Sequence, residues 1–187
     1  RTAQTFSVEA VDDSYDEMSE LHAVQHTLQS SDAIYNAGVR FWSHGHPLAQ
    51  SVQSGSVDVV VHDDDSAGVV LSKSRTIISE GVANDTYTVV LRSAPSSNFG
   101  SIETPDETVT VAITGNSQVQ VEPSSLTFSS DNWNSPQSVI VIAIDDLVDE
   151  NTEVHTLWHS STSNDRAFNG AGVDFVPGSN VTTTVHD

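Results

Sequence analysis

Residues 138–160 read SVIVIAIDDLVDENTEVHTLWHS, in which a short acidic turn separates two segments of alternating residues. The first segment is Ser138–Ile144 and the second is Glu153–His159. Successive side chains on a β-strand point to opposite faces, so each segment is predicted to be a strand with one buried face. The acidic turn is interpreted as a loop rather than a helix start, because it joins two strands.

The same alternation recurs along much of the chain and predicts strands at Thr86–Leu91, Thr108–Ile113, Gln118–Val121 and Val181–Val185. About seven short strands between polar turns within roughly 120 residues are typical of a two-sheet sandwich. No segment of the sequence has a convincing helical periodicity. The predicted fold class is therefore all-β, an immunoglobulin-like antiparallel β-sandwich present as tandem repeats, one partial and one complete.

An internal repeat in the sequence predicts this tandem arrangement. Residues 8–36 and 141–169 are identical at 12 of 29 positions without gaps, and most of the identities are acidic residues or histidines. The segments that follow also end alike, since Val61-His62-Asp63 corresponds to Val185-His186-Asp187. A repeated stretch of this length predicts two copies of one structural unit.

The two predicted units differ in completeness. Residues 1–65 match only the C-terminal half of a repeat, whereas residues 66–187 form a complete repeat. The partial unit also carries an extra loop, roughly from Phe41 to Val52, which the complete unit lacks. Because the partial unit has no leading strands, we expect these strands to come from a longer parent chain or from a neighbouring molecule.

The chain is strongly acidic, with 6 Lys and Arg against 26 Asp and Glu and a formal net charge of −20. This charge excludes nucleic acid as a natural partner, because phosphate binding requires a basic surface. It also disfavours an anionic membrane surface, and no apolar segment approaches the roughly 20 residues of a membrane span. Without cysteines, the chain forms no disulfide and no thiolate metal site. Either bound cations or a solvated acidic surface must accommodate the charge.

Two acidic loops have the same spacing, D-D-x(3)-E-x(2)-E. In the complete repeat the carboxylates are Asp145, Asp146, Glu150 and Glu153. In the partial repeat they are Asp12, Asp13, Glu17 and Glu20. Neighbouring carboxylates on a tight loop repel one another, and a hard cation such as Ca²⁺, which binds about six to eight oxygen ligands, removes the repulsion. The alternative interpretation is an acidic turn exposed to solvent.

Other carboxylates are predicted to lie near these loops, because the ends of several strands meet at one edge of a sandwich. For the complete repeat, the companions are Glu80 and Asp187. For the partial repeat, they are Asp63, Asp64 and Asp65, which follow its closing strand. The sequence therefore predicts a calcium site at the edge of each repeat. Neither loop is an EF-hand, since both lack its central glycine.

Together these motifs resemble those of the Calx-β domain. The residues that carry the resemblance are Glu80-Gly81, Ile144-Asp145-Asp146, Glu150, Glu153 and Asp187, with Asp12-Asp13, Glu17, Glu20 and Asp63-Asp64-Asp65 in the partial unit. Leu126-Thr127-Phe128 resembles a variant found in tandem in large microbial and algal extracellular proteins. The resemblance implies a seven-stranded sandwich with calcium at the domain edge. The D-Y element that often precedes the L-T-F strand of Calx-β domains is absent here.

The preferred interpretation is a calcium-binding structural repeat of a cell-surface or extracellular matrix, adhesion or appendage protein, in which Ca²⁺ rigidifies the edge between repeats. Its expected partners are other repeats of the same or neighbouring chains, with surface glycans or proteins as further candidates. One alternative is a glycan- or protein-recognition module that uses the extra loop around Phe41–His46, which contains Trp42 and His44. Another alternative is a calcium-sensing regulatory domain.

Three further expectations concern individual residues. Asn84 and Asn180 begin Asn-x-Thr triplets and are predicted N-glycosylation sites in an extracellular protein. His155 and His159 would lie about 13 Å apart on one face of a strand, so they are predicted to be structural rather than joint ligands of a metal. The chain is not expected to be an enzyme, because no motif predicts a catalytic triad and a catalytic carboxylate pair is not expected to be duplicated along a chain.

Overall fold

The computed structural model describes residues 2, 4–27, 31–32, 42–43, 46–47, 54–96 and 107–187. The chain separates into two compact units. The smaller unit consists of Arg1–Ala10 with Met18–Asp63, and the larger unit of Val11–Glu17 with Asp64–Asp187. The short segment Val11–Glu17 thus belongs to the larger unit, although the sequence pattern places it in the partial repeat. The division into a half repeat at residues 1–65 and a complete repeat stays a prediction.

The smaller unit contains four short strands among its described residues, β1 (Glu20–Thr27), β2 (Trp42–Ser43), β3 (His46–Pro47) and β4 (Ser54–Val61). Strand β1 pairs antiparallel with β4 along its full length, and β2 pairs antiparallel with β3. None of the side chains whose burial is described in this unit is buried. A two-stranded ribbon without a core is only marginally stable by itself in water.

The described part of the larger unit contains ten strands and two short 3₁₀ helices, Arg166–Phe168 and Gly170–Gly172. In chain order the strands are β5 (Val69–Leu71), β6 (Arg75–Ser79), β7 (Asp85–Leu91), β8 (Thr108–Thr114), β9 (Val119–Glu122), β10 (Ser125–Ser129), β11 (Gln137–Ala143), β12 (Glu153–Thr162), β13 (Phe175–Val176) and β14 (Asn180–His186). They form two five-stranded sheets with the orders β13-β5-β7-β11-β9 and β10-β8-β12-β14-β6. Among the residues described, no helix has the length and apolar character needed to cross a membrane.

These two sheets confirm the predicted all-β, immunoglobulin-like antiparallel sandwich. Two strand pairs depart from the antiparallel pattern, since β13 runs parallel to β5 and β14 runs parallel to β6. From β5 to β14 the chain passes to the other sheet at every step from one strand to the next. The ten strands described in this unit outnumber the seven that the resemblance implies. The strands predicted from alternation nevertheless lie within three residues of their observed bounds.

One hydrophobic cluster fills the larger unit. Apolar side chains alternate along its strands, so that on β11 Val139 and Val141 are buried whereas Ile140 is exposed. Tyr87 on β7 and Phe128 on β10 bring large aromatic rings into this core from the two sheets. Full burial of a large apolar side chain contributes about 1.5–3 kcal/mol. The packed sheets therefore hold the strand ends, which carry the acidic residues, in fixed positions.

Strands β7 and β12 also contribute a buried polar pair. Tyr87 Oη lies 2.6 Å from His159 Nε2, and His159 Nδ1 lies 3.1 Å from the Ser179 carbonyl oxygen. Burial lowers the pKa of His159, and the hydrogen bond to Ser179 acts in the opposite direction. The neutral ring therefore donates from Nδ1 and accepts the Tyr87 hydroxyl proton at Nε2. His159 is thus hydrogen-bonded within the core.

Candidate functional site

The ends of two parallel strands bring a glutamate and an aspartate to one edge of the larger unit. Strand β6 ends at Ser79, which is in register with His186 at the end of β14. The N–H of Glu80 donates a hydrogen bond of 2.9 Å to the carbonyl of His186. Glu80 therefore lies beside the residue that precedes Asp187.

The acidic loop between β11 and β12 is held at the same edge. The Glu150 N–H donates to Asp187 Oδ2 at 2.8 Å, and Gln118 Nε2 donates to Glu150 Oε2 at 2.8 Å. Within the loop, the Val148 N–H donates to Asp146 Oδ1 at 2.7 Å. Hydrogen bonds to ionised carboxylates are stronger than those between neutral groups. These bonds therefore fix the loop through the same carboxylates that were predicted to bind metal.

The electrostatic environment of Glu80 shows that the predicted carboxylates are close together. Partial burial raises the pKa of Glu80 above its ordinary value of 4.5, a backbone hydrogen bond from Asp146 lowers it, and the charges of Asp187, Asp146 and Glu150 raise it further. The folded chain therefore binds this proton more tightly than the unfolded chain does. Ionisation of Glu80 consequently costs stability, and this cost is absent below pH 4.5 and develops as the pH rises above that value.

Gly81 has a clear structural reason to follow Glu80. Its φ is +60°, a left-handed conformation that is unfavourable for residues with a Cβ atom. A Cβ atom at this position would lie 3.6 Å from Asp145 Oδ2. The glycine thus turns the chain at the end of β6 and lies against the carboxylate of Asp145, which adds a fifth acidic side chain to this edge.

The carboxylates that open the strands after the two acidic loops are paired with histidines. Glu153 Oε2 lies 2.9 Å from His155 Nε2, and in the partial repeat Glu20 Oε2 lies 2.9 Å from His22 Nε2. Each pair is two residues apart and so lies on one face of its strand. Glu17, which precedes Glu20 in the partial repeat, is half-buried. As metal ligands, Glu17, Glu20 and Glu153 stay predictions.

The edge carboxylates are close, but their oxygen atoms do not converge on one point. Among the described residues, one set of three acidic or histidine side chains has ligand atoms within 4.8 Å of one another, and it consists of the consecutive Asp63, Asp64 and Asp65. No three of the acidic side chains around Glu80 satisfy this distance. Their oxygen donors suit a hard cation, and binding would require them to move closer together.

The acidic loops of the two repeats share a local conformation. The Tyr15 N–H donates to Asp13 Oδ1 at 2.9 Å, as the Val148 N–H does to Asp146 Oδ1 at 2.7 Å. Each aspartate therefore caps the second residue after it in the same type of turn. Asp12, which precedes the turn, is exposed. The repeat that is visible in the sequence thus extends to hydrogen bonding.

The segment Val11–Glu17 forms contacts that no pattern in the sequence indicates. The carbonyl oxygen of Ser14 accepts a hydrogen bond of 2.8 Å from the Ala94 N–H, and Asp16 Oδ2 accepts one of 2.8 Å from the Ala67 N–H. Tyr15 forms an isolated parallel β-bridge with Ala94. These contacts lie within the larger unit and hold the segment against its sandwich.

Two further predictions concern the surface. Asn84 and Asn180 are both exposed, and their glycosylation stays a prediction. Of the extra loop, the structure describes the backbone of Trp42–Ser43 and His46–Pro47, whereas Phe41 and His44 lie outside the described residues. A recognition role for this loop therefore stays a prediction as well.

Comparison with known proteins gives a likeness at the level of the fold. No family model matches the chain, and no curated protein matches it. Similar solved structures include the periplasmic chaperone SfaE, with 11% identity and a TM-score of 0.43 over 64% of this chain. The apo form of the Calx CBD1 domain has 16% identity and a TM-score of 0.39 over 64% of this chain and 97% of that domain. A type I cohesin–dockerin complex from Clostridium thermocellum gives 8% identity and a TM-score of 0.34 over 66% of this chain and 95% of the matched chain.

The match covers 57% of the length of SfaE. At such low identities and TM-scores, these likenesses concern the sandwich architecture and carry no argument about function. The resemblance to the Calx-β domain therefore stands at the level of the fold.

Proposed function

We propose that this chain is a calcium-binding structural repeat of a cell-surface or extracellular protein, without catalytic activity. In this proposal, Ca²⁺ binds at the edge of the larger unit among Glu80, Asp145, Asp146, Glu150 and Asp187. The observation that supports it most is geometric, because hydrogen bonds from the Glu80 N–H to the His186 carbonyl and from the Glu150 N–H to Asp187 bring these carboxylates to one edge. Next to its partial burial, the negative charges of Asp187, Asp146 and Glu150 accordingly contribute to the raised pKa of Glu80. Repulsion of this kind is relieved when a cation binds among the carboxylates.

The chemistry of the edge favours calcium over other cations. Its side-chain donors are carboxylate oxygens, which bind hard cations, whereas zinc is most often held by cysteine and histidine. Magnesium demands near-ideal octahedral geometry at short distances, while calcium accepts about six to eight oxygens in flexible arrangements. Donors that are near one another but not yet convergent therefore suit calcium better than magnesium. Asp63, Asp64 and Asp65 are assigned the equivalent role for the partial repeat.

The structural role of the ion follows from the segments that it would join. The turn after β6, the loop before β12 and the end of β14 are separate parts of the chain that meet at this edge. A bound cation would connect them and offset part of the net charge of −20, which otherwise opposes compactness. A rigid edge of this kind suits a repeat of a surface rod, matrix or appendage, in which the partners are other repeats of the same or neighbouring chains.

Calorimetric titration of calcium into the full chain tests this proposal. The double variant Glu80→Gln with Asp187→Asn loses two charged ligands, so we expect at least about tenfold weaker binding, equivalent to about 1.4 kcal/mol. The matched control is Glu122→Gln with Asp131→Asn, which changes the net charge equally at two exposed positions. Asp131 precedes β11, whereas the acidic loop follows that strand. Equal affinities for the two double variants would contradict the proposal.

A further inference from the structure

One acidic loop of the internal repeat is bound to a sandwich, and its counterpart is exposed. Through the repeat, Ile144–Glu150 corresponds to Val11–Glu17. The side chain of Leu147 is fully exposed, and that of Val148 is 59% exposed. Asp149 is also exposed. Two consecutive exposed apolar residues within an otherwise acidic loop need an explanation that calcium binding does not supply.

The exposed loop shares one hydrogen-bonded turn with the bound loop. Both loops contain the same aspartate-capped turn, with hydrogen bonds of 2.7 Å at Val148 and 2.9 Å at Tyr15. The two residues that hold the bound loop have direct counterparts, because Ser14 corresponds to Leu147 and Asp16 to the identical Asp149. Ser14 acts through its backbone carbonyl, which every residue possesses. The exposed loop therefore carries both acceptors, and its shared turn reduces the entropy lost on binding.

We propose that Ile144–Glu150 is a docking segment for a further copy of this sandwich that starts at Asp64, so that no Val11–Glu17 segment of its own covers the edge formed by Ala67 and Ala94. The carbonyl of Leu147 accepts the hydrogen bond of the Ala94 N–H, and the carboxylate of Asp149 accepts that of the Ala67 N–H. Val148 occupies the position of Tyr15. The carboxylate supplies a charge-assisted hydrogen bond, which is stronger than a bond between neutral groups.

The sequence around the loop favours a second copy over an unrelated partner. Val61-His62-Asp63 leads directly into Asp64 and then to Ala67 on the receiving edge. Val185-His186-Asp187 is identical to that closing segment. A sandwich that begins with Asp64 after Asp187 would therefore stand in the same sequence relation to Ile144–Glu150 as the present sandwich does to Val11–Glu17. This inference goes beyond the proposed function, because its hydrogen bonds require no cation.

A tandem chain tests the inference, with residues 64–187 repeated directly after Asp187 and only the first 187 residues labelled with ¹⁵N. Amide hydrogen exchange of Leu147–Glu150 is compared by NMR between the single and the tandem chain. We expect exchange in the tandem chain to be at least about tenfold slower, because docking excludes the open state from which amides exchange. Asp149→Lys in the first copy is expected to abolish this difference, whereas Asp131→Lys leaves it intact.

The measurement is made in EDTA and repeated with calcium, which separates this inference from the proposed function. Slower exchange in EDTA supports docking even where calorimetry detects no calcium binding. Slower exchange only with calcium supports docking in which the ion fixes the loop. Circular dichroism first verifies that the appended copy is folded, and unchanged exchange of Leu147–Glu150 in both conditions then overturns the inference.

Discussion

Replacing Phe128 with alanine is expected to lower the free energy of unfolding of the larger unit by about 3–5 kcal/mol. The ring of Phe128 is completely buried on β10, and Leu126 on the same strand is also buried. Removing the ring leaves a cavity that the packed neighbours fill only in part. Among the strands that the structure describes, β10 lies at the edge of its sheet and pairs only with β8. Its attachment therefore depends strongly on these two side chains.

Urea unfolding followed by tryptophan fluorescence measures this loss. The control is Thr127→Ala, because Thr127 lies between the two buried residues and is exposed. Surface substitutions of this kind usually change stability by less than about 0.5 kcal/mol. A similar effect of the two substitutions would show that β10 does not contribute its alternate side chains to the core.

Saturating calcium is expected to raise the melting temperature of the larger unit by roughly 5–10 °C relative to EDTA. A ligand that binds only the folded state stabilises it by about 2.7 kcal/mol at one hundred times its Kd, and each kcal/mol shifts the melting temperature of a chain of this size by about 2–4 °C. The physical source of the gain is relief of repulsion among Glu80, Asp146, Glu150 and Asp187. Scanning calorimetry of the full chain provides the measurement.

Two controls separate site binding from general screening of the net charge. Sodium chloride at the same ionic strength screens exposed charges and is expected to give a smaller rise than calcium. The Glu80→Gln, Asp187→Asn variant should lose most of the calcium response, whereas the Glu122→Gln, Asp131→Asn variant should keep it. Identical melting temperatures of the unmodified chain in EDTA and in calcium would contradict the expected stabilisation.

The strands were predictable because one buried face leaves a period-two pattern in the sequence. On β12, Leu157 and His159 are buried and Trp158 between them is exposed, as alternation requires. The crossing from β5 to β6 was not predictable, because alternation says which residues share a face but not which sheet a strand joins. The parallel pairing of β6 with β14 depends on that crossing, so the sequence did not predict it either.

The sequence predicted which residues lie at the candidate site better than it predicted the distances between them. The approach of Glu80 to Asp187 follows from strands that end at one edge, which the order of elements suggests. The distances between carboxylates depend on loop hydrogen bonds, such as that from Glu150 N–H to Asp187, which no sequence pattern specifies. The pairing of Glu153 with His155 could be predicted from the sequence, because residues two apart on a strand share a face.

The contact between Asp16 and Ala67 shows how a pattern can be visible and still be interpreted incompletely. Asp16 and Asp149 are identical positions of the sequence repeat, but the spacing of the other carboxylates indicated metal binding. The structure instead places Asp16 as an acceptor for a backbone N–H of the sandwich. A repeated carboxylate can therefore serve the contact between elements as well as a cation.

Crystallography of the full chain grown with calcium, with anomalous scattering used to locate the ion, tests the central claim most directly. We expect an anomalous peak at the edge of the larger unit, with carboxylate oxygens of Glu80, Asp146, Glu150 or Asp187 at about 2.3–2.6 Å from it. Carboxylates that extend separately into water, with no ion among them at saturating calcium, would contradict it.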